Sequence, residues 1–518
     1  MGIANNKKSG LLRSSLVMAG ATFSSRVLGL VREQAMAHIF GASGITDAFL
    51  IAYRIPNMLR DLFAEGAFSS AFVPVFTEVK EKSKNEARRL LWSLFILLFC
   101  TTSVIALGMI YFAPELVAGI APKFLEDTEK FELAVGLLKL MAPFLVLVSM
   151  AALFMGALNS FKVFFIPSLA PALFNVAMIS CIFLLPSYLE KYGQHSIYAL
   201  GIGVLIGGLC QWLVQFPLIL REGIGPIGGL KLFSAGTLKV VNRLGIGTVG
   251  IAATQINILL TTWLATGTVV GAVSWLSYSF RLFQFPVGVL GVSLANSNLV
   301  HFSESWKKGE RALAIETLKT SYQFSWILML PASVMIYHLA IPAVDLVFYR
   351  GAFGVMDVTM SAKALQFYVL GLPFYGLYKI LAPSFYTLDR PAIPVYISLF
   401  CIAINLSFCL YLTPLYGFGV LALGTTLSMF INSSLQMVMM KKILELELSF
   451  FIGPRLLKVG VAALLCHFVM KWSVERFYTI DALFLEKVLF FGSSSLLGVT
   501  TYLTSLFIMG ERIPSKTK

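Results

Sequence analysis

The chain has 518 residues, of which 58% are hydrophobic and only 13% are charged. An ordinary soluble domain is about a quarter charged, so this composition excludes a soluble cytosolic enzyme and a disordered scaffold. Because a membrane-spanning helix needs roughly 20 apolar residues, the chain has room for on the order of a dozen spans and for no large water-soluble domain. The meaning of its formal charge of +14 depends on where its Lys and Arg residues lie.

The first apolar segment follows basic residues, as the hydrophobic region of a signal peptide does. Residues 16–29 contain Thr22, Ser24, Ser25 and Arg26, however, and are too polar for a cleavable segment. We therefore interpret it as the first of fourteen membrane helices, and the even number places both termini on one side. In chain order the predicted segments are 13–40, 45–76, 89–113, 134–158, 161–186, 196–220, 238–266, 270–302, 315–342, 361–388, 391–413, 416–441, 455–474 and 485–509.

The basic residues divide unevenly between the two sides of this arrangement. Of the 40 Lys and Arg residues, 25 fall in one alternate set of termini and connections, eight fall in the other set, and seven fall within predicted spans. Since basic residues are enriched on the cytoplasmic side, both termini are predicted to be cytoplasmic. Most of the positive charge then fixes topology and does not indicate a nucleic-acid partner. The seven residues within spans are Arg26, Arg32, Arg54, Arg60, Lys139, Arg281 and Lys379.

A weak internal repeat relates the two halves of the chain. Arg54 and Arg281 are 227 residues apart, and so are Pro167 and Pro394, each of which opens an apolar helix. These offsets predict that helices 1–6 are repeated as helices 7–12 in the same orientation, about an axis along the membrane normal. The predicted fold class is an all-α polytopic membrane protein with fourteen transmembrane helices, in two six-helix lobes related by a pseudo-two-fold axis and two C-terminal helices. The predicted boundaries are 1–222, 223–445 and 446–518.

The arginines within spans are the strongest functional signal. An ionisable side chain at bilayer depth costs about 2.5–3.5 kcal/mol on insertion scales, so it usually faces a wet cavity or a partner. Guanidinium binds phosphate through a planar fork and keeps its charge, which favours an anion site. The alternative is purely structural pairing with nearby carboxylates. Arg26 and Glu33, for example, are seven residues apart on nearly one helical face.

Other chemical signals are weak. The five histidines are scattered along the chain, the six cysteines lie in apolar stretches, and no nucleotide-binding loop or nucleophile motif is present. We therefore predict no catalytic residues, no metal centre and no bound cofactor. The sequence favours a transporter over an enzyme.

Helices 1 and 2 carry a long run that resembles the MurJ (MviN) family. The matching stretches are residues 23–32 (FSSRVLGLVR), 40–42 (FGA), 46–49 (TDAF), 54–69 (RIPNMLRDLFAEGAFS) and 71–74 (AFVP). Shorter matches follow at 285–286 (FP), 288–292 (GVLGV), 350–353 (RGAF) and 382–386 (APSFY). The similarity extends over most of the chain and weakens after about residue 450.

The resemblance implies a lipid II flippase of the bacterial inner membrane, within the multidrug/oligosaccharidyl-lipid/polysaccharide exporter superfamily. Its substrate would be undecaprenyl-diphosphate bearing the disaccharide-pentapeptide of peptidoglycan, so the implied role is in cell-wall biogenesis and cell shape. Other implied partners are membrane lipids and cell-wall synthesis proteins. Substrate-binding residues are expected at Arg26, Arg32, Asp47, Arg60 and Arg281, with Glu65 as a further candidate and Arg54 as the repeat-related partner of Arg281.

This chain departs from the family at the positions that the resemblance associates with a cation. Asn405 and Thr425 match polar positions of the family's cation site, whereas helix 7 supplies Gln255 and Asn257 and no carboxylate. Coupling to Na⁺ or H⁺ is therefore a weaker expectation than coupling to the membrane potential, and no ATP is needed. The expected mechanism is alternating access.

Three alternatives remain at this stage. One is an exporter of another prenyl-diphosphate-linked oligosaccharide, which the arginines alone do not distinguish from a lipid II flippase. The other is a membrane-embedded enzyme that acts on prenyl diphosphates, although the expected metal-binding acids are absent from the sequence. A non-transporting scaffold of wall synthesis would leave the arginines without a role.

Overall fold

The structure is a computed structural model that describes residues 2–63, 67–451 and 453–511. Within those ranges it is helical and contains no strand. Among the described residues, seven helical stretches are long and apolar enough to cross a bilayer, or eight if Arg311–His338 and Ala340–Phe348 form one span bent by 70°. The predicted fold class, an all-α polytopic membrane protein, is confirmed.

The chain divides into two compact units, and the first ends at Gly271. A 3₁₀ turn at Pro122–Glu126 lies between its fifth and sixth α-helices. The helices of this unit are α1 (Gly2–Phe40), α2 (Gly44–Phe63), α3 (Ala67–Lys82), α4 (Lys84–Tyr111), α5 (Ala113–Ile120), α6 (Thr128–Met141), α7 (Phe144–Ser160), α8 (Phe165–Leu184), α9 (Pro186–Lys191), α10 (Tyr198–Leu213), α11 (Phe216–Arg221) and α12 (Ala235–Thr266).

The second unit begins at Ala272. A π-helical segment at Val287–Gly291 joins its first two helices, and a 3₁₀ turn at Leu448–Phe450 precedes its last two. Its helices are α13 (Ala272–Pro286), α14 (Val292–Lys307), α15 (Arg311–His338), α16 (Ala340–Phe348), α17 (Val355–Val369), α18 (Leu372–Thr387), α19 (Ala392–Tyr416), α20 (Gly419–Leu444), α21 (Pro454–Phe477) and α22 (Phe484–Ile508).

Each of the fourteen predicted segments coincides with one helix or with consecutive helices of the structure. Several predicted single helices are broken, and four of the breaks lie next to a proline. These prolines are Pro143 between α6 and α7, Pro217 at the start of α11, Pro286 before the π-helical segment, and Pro373 at the start of α18. Proline removes a backbone N–H and clashes with the preceding turn, so a long apolar stretch continues across the membrane as two helices.

The two units share one pattern of helix packing. In the first unit α2 packs on α6, α3 on both α4 and α7, α4 on α7, and α10 on both α7 and α8. In the second unit α13 packs on α17, α14 on both α15 and α18, α15 on α18, and α20 on both α18 and α19. These pairings correspond one to one when α2 is matched with α13 and α8 with α19. An internal repeat of helices, as the sequence predicts, would produce this shared packing pattern.

The long helix α12 departs from this correspondence. By its place in the repeat it opens the second half, yet it packs on α3, α2 and α4 of the first unit. Lys239 pairs there with Glu78 at 2.7 Å, and Gly236 lies against Leu90. The observed division between residues 271 and 272 therefore differs by one helix from the predicted boundary at 222/223. The predicted lobes stay a sequence-based prediction.

Candidate functional site

Arg32 contacts residues of two helices. It lies on α1, and its Nη2 donates to Glu33 Oε1 at 2.6 Å while its Nη1 donates to Asn175 Oδ1 at 3.1 Å. The guanidinium also lies over the ring of Phe174 on α8. Glu33 is buried, so a neighbouring cation is needed to keep its charge inside the bundle. Glu33 thus has Arg32 as a partner, whereas the sequence suggested Arg26 for that role.

Asn175 on α8 was missed by the sequence reasoning. Its Nδ2 donates to the backbone oxygen of Ser25 at 3.1 Å, which turns its Oδ1 toward Arg32. The amide therefore bridges α1 and α8 and fixes the direction of the guanidinium. A single asparagine in an apolar segment gives no signal for this role, since it depends on which face of α8 meets α1.

Arg60 is held in a second network on α2. Its Nη2 and Nε donate to Asp61 Oδ1 at 2.8 and 3.2 Å. The other carboxylate oxygen of Asp61 accepts from Gln255 Nε2 of α12 at 2.9 Å. The chain Arg60–Asp61–Gln255 thus connects the predicted site to the helix that crosses between the two halves of the sequence.

Arg32 and Arg60 lie within electrostatic range of each other, and Tyr53 also lies within that range of Arg32. Each arginine has the carboxylate of the next residue as a partner, which lowers the cost of holding two like charges together. Among the described residues the acceptors of Arg32 are Glu33 Oε1, Asn175 Oδ1 and, at 4.0 Å, Met178 Sδ. A guanidinium has five N–H donors, so Arg32 keeps donors for a further acceptor.

The other predicted residues of α1 and α2 are less closely associated. Arg26 is exposed and Arg54 is half-buried. Arg26 precedes Arg32 by six residues, about 9 Å along the helix and on a different face, so an ideal α1 does not aim both at one point. Glu65 lies outside the described residues.

Asp47 occupies a different environment from the one expected for a substrate ligand. Its carboxylate is buried, accepts the backbone N–H of Gly271 at 2.8 Å and lies 3.9 Å from Lys130 Nζ. Lys130 in turn lies over the ring of Phe124. These contacts fix the loop that ends the first unit. The substrate-binding role of Asp47 stays a prediction.

The predicted site residues of the second unit lie on three helices. Arg281 is exposed on α13. Asn405 on α19 is buried and accepts from Cys409 Sγ at 3.4 Å, while Thr425 on α20 donates to the backbone oxygen of Leu421 at 3.0 Å. A Cβ on Gly424 would lie 2.6 Å from Asn405 Oδ1, so Asn405 serves the close approach of α19 and α20. Ion binding by Asn405 and Thr425 stays a prediction.

Replacing Asn175 by alanine tests the bridge between α1 and α8. We expect transport by the Asn175→Ala variant to be about tenfold slower at unchanged protein level, because hydrogen bonds to charged groups contribute about 1.5–3 kcal/mol. The measurement is the rate at which substrate reaches the outer leaflet. Ser180→Ala is the matched control, since Ser180 lies on the same helix and its hydroxyl donates to the backbone oxygen of Val176, one turn earlier. A wild-type rate in Asn175→Ala would contradict the positioning role.

Fold and site together define a class. A bundle of membrane helices in two similarly packed units, with arginine–carboxylate pairs on the helices of the first, is typical of a membrane transporter. The comparisons with known proteins give the family.

The family described as "MurJ: Lipid II flippase MurJ" matches residues 36–490. A "Probable lipid II flippase MurJ" of Buchnera aphidicola subsp. Schizaphis graminum is 33% identical over 97% of this chain and 98% of its own length. The "Lipid II flippase MurJ" of Burkholderia cenocepacia is 32% identical over 96% of this chain and 98% of its own. A solved structure, "Lipid II flippase MurJ, inward closed conformation", has a TM-score of 0.78 and 27% identity, covering 95% of this chain and 98% of that one.

A more distant likeness concerns the fold alone. An inward-facing multidrug resistance MATE family transporter of the MOP superfamily has a TM-score of 0.66 at 14% identity, covering 83% of this chain and 98% of that chain. This chain belongs to the MurJ family of lipid II flippases. The resemblance found in helices 1 and 2 is confirmed, and the membrane-embedded enzyme considered as an alternative is wrong, because the family consists of transporters.

Proposed function

We propose that this chain moves the headgroup of lipid II from the cytoplasmic to the periplasmic leaflet, with the diphosphate bound at Arg32 and Arg60. The observation that carries the proposal is that these two guanidinium groups lie within electrostatic range of each other, each bonded to the carboxylate of the following residue. The guanidinium of Arg32 has five N–H donors, and the oxygens of Glu33 and Asn175 take two of them. A diphosphate offers several oxygens in one small group and suits two such forks.

The proposed route through the protein follows from the chemistry of lipid II. Only the sugar–peptide headgroup and the diphosphate need a polar route, whereas the polyprenyl tail stays in the lipid. The proposed substrate contacts also include Arg26, Glu65 and Arg281 through the family resemblance, and Arg54 through the internal repeat. Asp47 belongs to the proposed set through the family resemblance.

Alternating access is the proposed mode of transport. The contact of Asp61 with Gln255 makes α12 sensitive to the state of Arg60, because a bound diphosphate competes with Asp61 for the guanidinium. Release of Asp61 would loosen the hold of α2 on α12. In this scheme substrate binding itself weakens a contact that keeps one conformation in place.

The proposed energy source is the membrane potential, with Na⁺ or H⁺ as a further candidate at Asn405 and Thr425. Moving one elementary charge across the membrane field is worth about 2.3 kcal/mol per 100 mV. A positively charged cavity therefore prefers to face a negative cytoplasm when it is empty. The proposed location is the bacterial inner membrane with both termini cytoplasmic, and cell-wall synthesis proteins are proposed partners.

The test is complementation of cells depleted of their own flippase. We expect the wild-type chain to restore growth and cell shape and to return lipid II to the periplasmic leaflet, where an externally added lipid II-cleaving enzyme reaches it. The Lys308→Ala variant should restore export as the wild-type chain does, because Lys308 is an exposed cation paired with Glu304. Restored export of another prenyl-linked oligosaccharide, with lipid II still inaccessible, would favour the sister-exporter alternative.

A further inference from the structure

Three successive membrane crossings of the second unit are interrupted, and a proline lies close to each break. Pro286 precedes the π-helical segment between α13 and α14, Pro342 lies in the first turn of α16, and Pro373 lies in the first turn of α18. The break between α15 and α16 bends the chain by 70°. Such breaks allow the two parts of one crossing to move separately.

The segments on one side of the breaks pack on each other. Helix α13 packs mainly on α17, and α17 also packs on α16. Trp275 Nε1 of α13 donates to Asp357 Oδ1 of α17 at 2.8 Å, and the ring centres of Tyr278 on α13 and Phe348 on α16 are 5.0 Å apart. We call α13, α16 and α17 the α13 block.

The segments on the other side form a second block. Helix α14 packs on α15 and α18, and α15 also packs on α18. Asn298 Nδ2 of α14 donates to Ser384 Oγ of α18 at 3.1 Å, and the hydroxyl oxygens of Ser303 and Thr387 are 2.7 Å apart. We call α14, α15 and α18 the α14 block. Helix α20 runs unbroken from Gly419 to Leu444 and packs on both α17 and α18, so it supports both blocks.

Side chains of neighbouring helices bond to the carbonyls at the break between α17 and α18. Because Pro373 has no N–H, the backbone oxygen of Val369 lacks its helical donor and accepts from Ser333 Oγ of α15 at 2.5 Å. The backbone oxygen of Phe367 accepts from Thr426 Oγ1 of α20 at 2.7 Å. Broken membrane helices are tolerated where such groups satisfy the backbone. A hydroxyl group can rotate and keep its bond when two helices shift slightly.

The other two breaks have a similar character. The backbone oxygen of Tyr337, in the last turn of α15, accepts from Gln366 Nε2 of α17 at 3.2 Å. Between α13 and α14 the N–H of Val292 donates to the backbone oxygen of Val287, five residues earlier. Single π-helical turns of this kind occur frequently at functional sites. All three connections between the two blocks are thus irregular.

We propose that the α13 block pivots as one body against the α14 block at these three breaks during transport. Arg281 lies on α13, so the pivot moves this proposed substrate contact without breaking the contacts inside either block. Helix α13 has 15 residues and is about 22 Å long, so a pivot of about 10° moves its far end by about 4 Å. The inference rests on the proposed function, because it assigns the motion to transport.

Replacing Pro373 by alanine tests the pivot. Alanine supplies the missing N–H, so α17 and α18 can join into one helix through a bond to Val369. We expect Pro373→Ala to move lipid II about tenfold more slowly, because the new bond stabilises the joined helix, and to melt at a temperature no lower than wild type. Pro394→Ala is the matched control, since Pro394 lies in the first turn of α19, where no helical donor is needed. It should transport as wild type does.

Distances between spin labels test the motion in the purified full-length chain in lipid nanodiscs without lipid II. The six cysteines are replaced by alanine, and labels are attached at exposed positions. Met356→Cys on α17 with Tyr386→Cys on α18 spans a break, whereas Leu313→Cys on α15 with Tyr386→Cys lies within the α14 block. We expect the distance distribution across the break to be broader by about 4 Å, as the pivot requires, and Pro373→Ala should narrow only this distribution.

The two measurements separate the pivot from the proposed function. If the wild-type chain fails to move lipid II, the proposed function fails, and the label distances still decide whether the block moves. A distribution across the break no broader than that within the block would overturn the pivot. Wild-type transport by Pro373→Ala, or slow transport with unchanged label distances, would also overturn it.

Discussion

A chain with alanine at both Arg32 and Arg60 is expected to move lipid II at least a hundredfold more slowly than wild type. Hydrogen bonds to charged groups contribute about 1.5–3 kcal/mol each, and the variant loses at least one to the diphosphate at each position. A loss of 1.4 kcal/mol corresponds to a factor of ten, so two such losses multiply to a hundredfold or more. The measurement is the initial rate at which lipid II becomes accessible in the periplasmic leaflet of flippase-depleted cells.

The control must separate a binding role from an internal ion pair. Arg32→Ala with Glu33→Ala, and Arg60→Ala with Asp61→Ala, remove the partner carboxylates as well, so that no buried charge is left unpaired. If the arginines bind substrate, these charge-balanced variants are stable and still fail to transport. Recovery of transport in them would assign both arginines to structure alone. The transport rate of Arg32→Lys should fall between that of wild type and that of the alanine variants, because lysine keeps the positive charge but lacks the planar guanidinium fork.

Replacing Asp345 by alanine is expected to give the largest loss of stability. Asp345 on α16 is buried, its Oδ1 accepts from Lys487 Nζ of α22 at 2.8 Å, and its Oδ2 accepts from the Tyr478 hydroxyl at 2.6 Å. Burial and the adjacent carboxylate raise the pKa of Tyr478 above its ordinary value, so the phenol stays a donor. Removing one partner of a buried ion pair costs about 3–5 kcal/mol, because the other charge is left without compensation. The melting temperature of the detergent-solubilised chain should fall accordingly.

The matched control replaces both charges. Asp345→Leu with Lys487→Met keeps the volume and leaves no charge behind, and such replacements of buried ion pairs are often neutral or stabilising. We expect the double variant to recover most of the lost stability. Limited proteolysis should cleave Asp345→Ala faster than wild type in the connection around Tyr478, between α21 and α22. A melting temperature equal to that of wild type in Asp345→Ala would contradict the account.

The sequence located the arginines but not their partners. Arg32 lies 143 residues from Asn175, and Asp61 lies 194 residues from Gln255. An asparagine or a glutamine in an apolar segment is equally compatible with packing, a helix contact or a ligand. Which of these roles the residue has depends on which face of α8 packs against α1 and which face of α12 packs against α2. The sequence of a single segment does not determine these faces.

The histidines show the same limit. They look scattered along the chain, yet folding places His338 against His467, 129 residues away. Similarly, the sequence assigns Lys487 only to the basic residues of one membrane side, whereas the structure gives it a buried aspartate, Asp345, as its partner. Spacing in the sequence detects sites built within one segment and misses those built between segments.

By itself, the sequence determined the class of protein, the positions of its apolar segments and the basic asymmetry that predicts orientation. It also determined the family, through the long motif of the first two helices. The class and orientation depend on the hydrophobic length and charge of each segment, because each segment interacts with the bilayer separately. The family depends on residue order within the motif. Only the tertiary structure decided that Glu33 and Asp61 accompany Arg32 and Arg60, and that α12 packs with the first unit. Those outcomes depend on side-chain packing between distant helices, where the cost of an unpaired buried charge selects one arrangement.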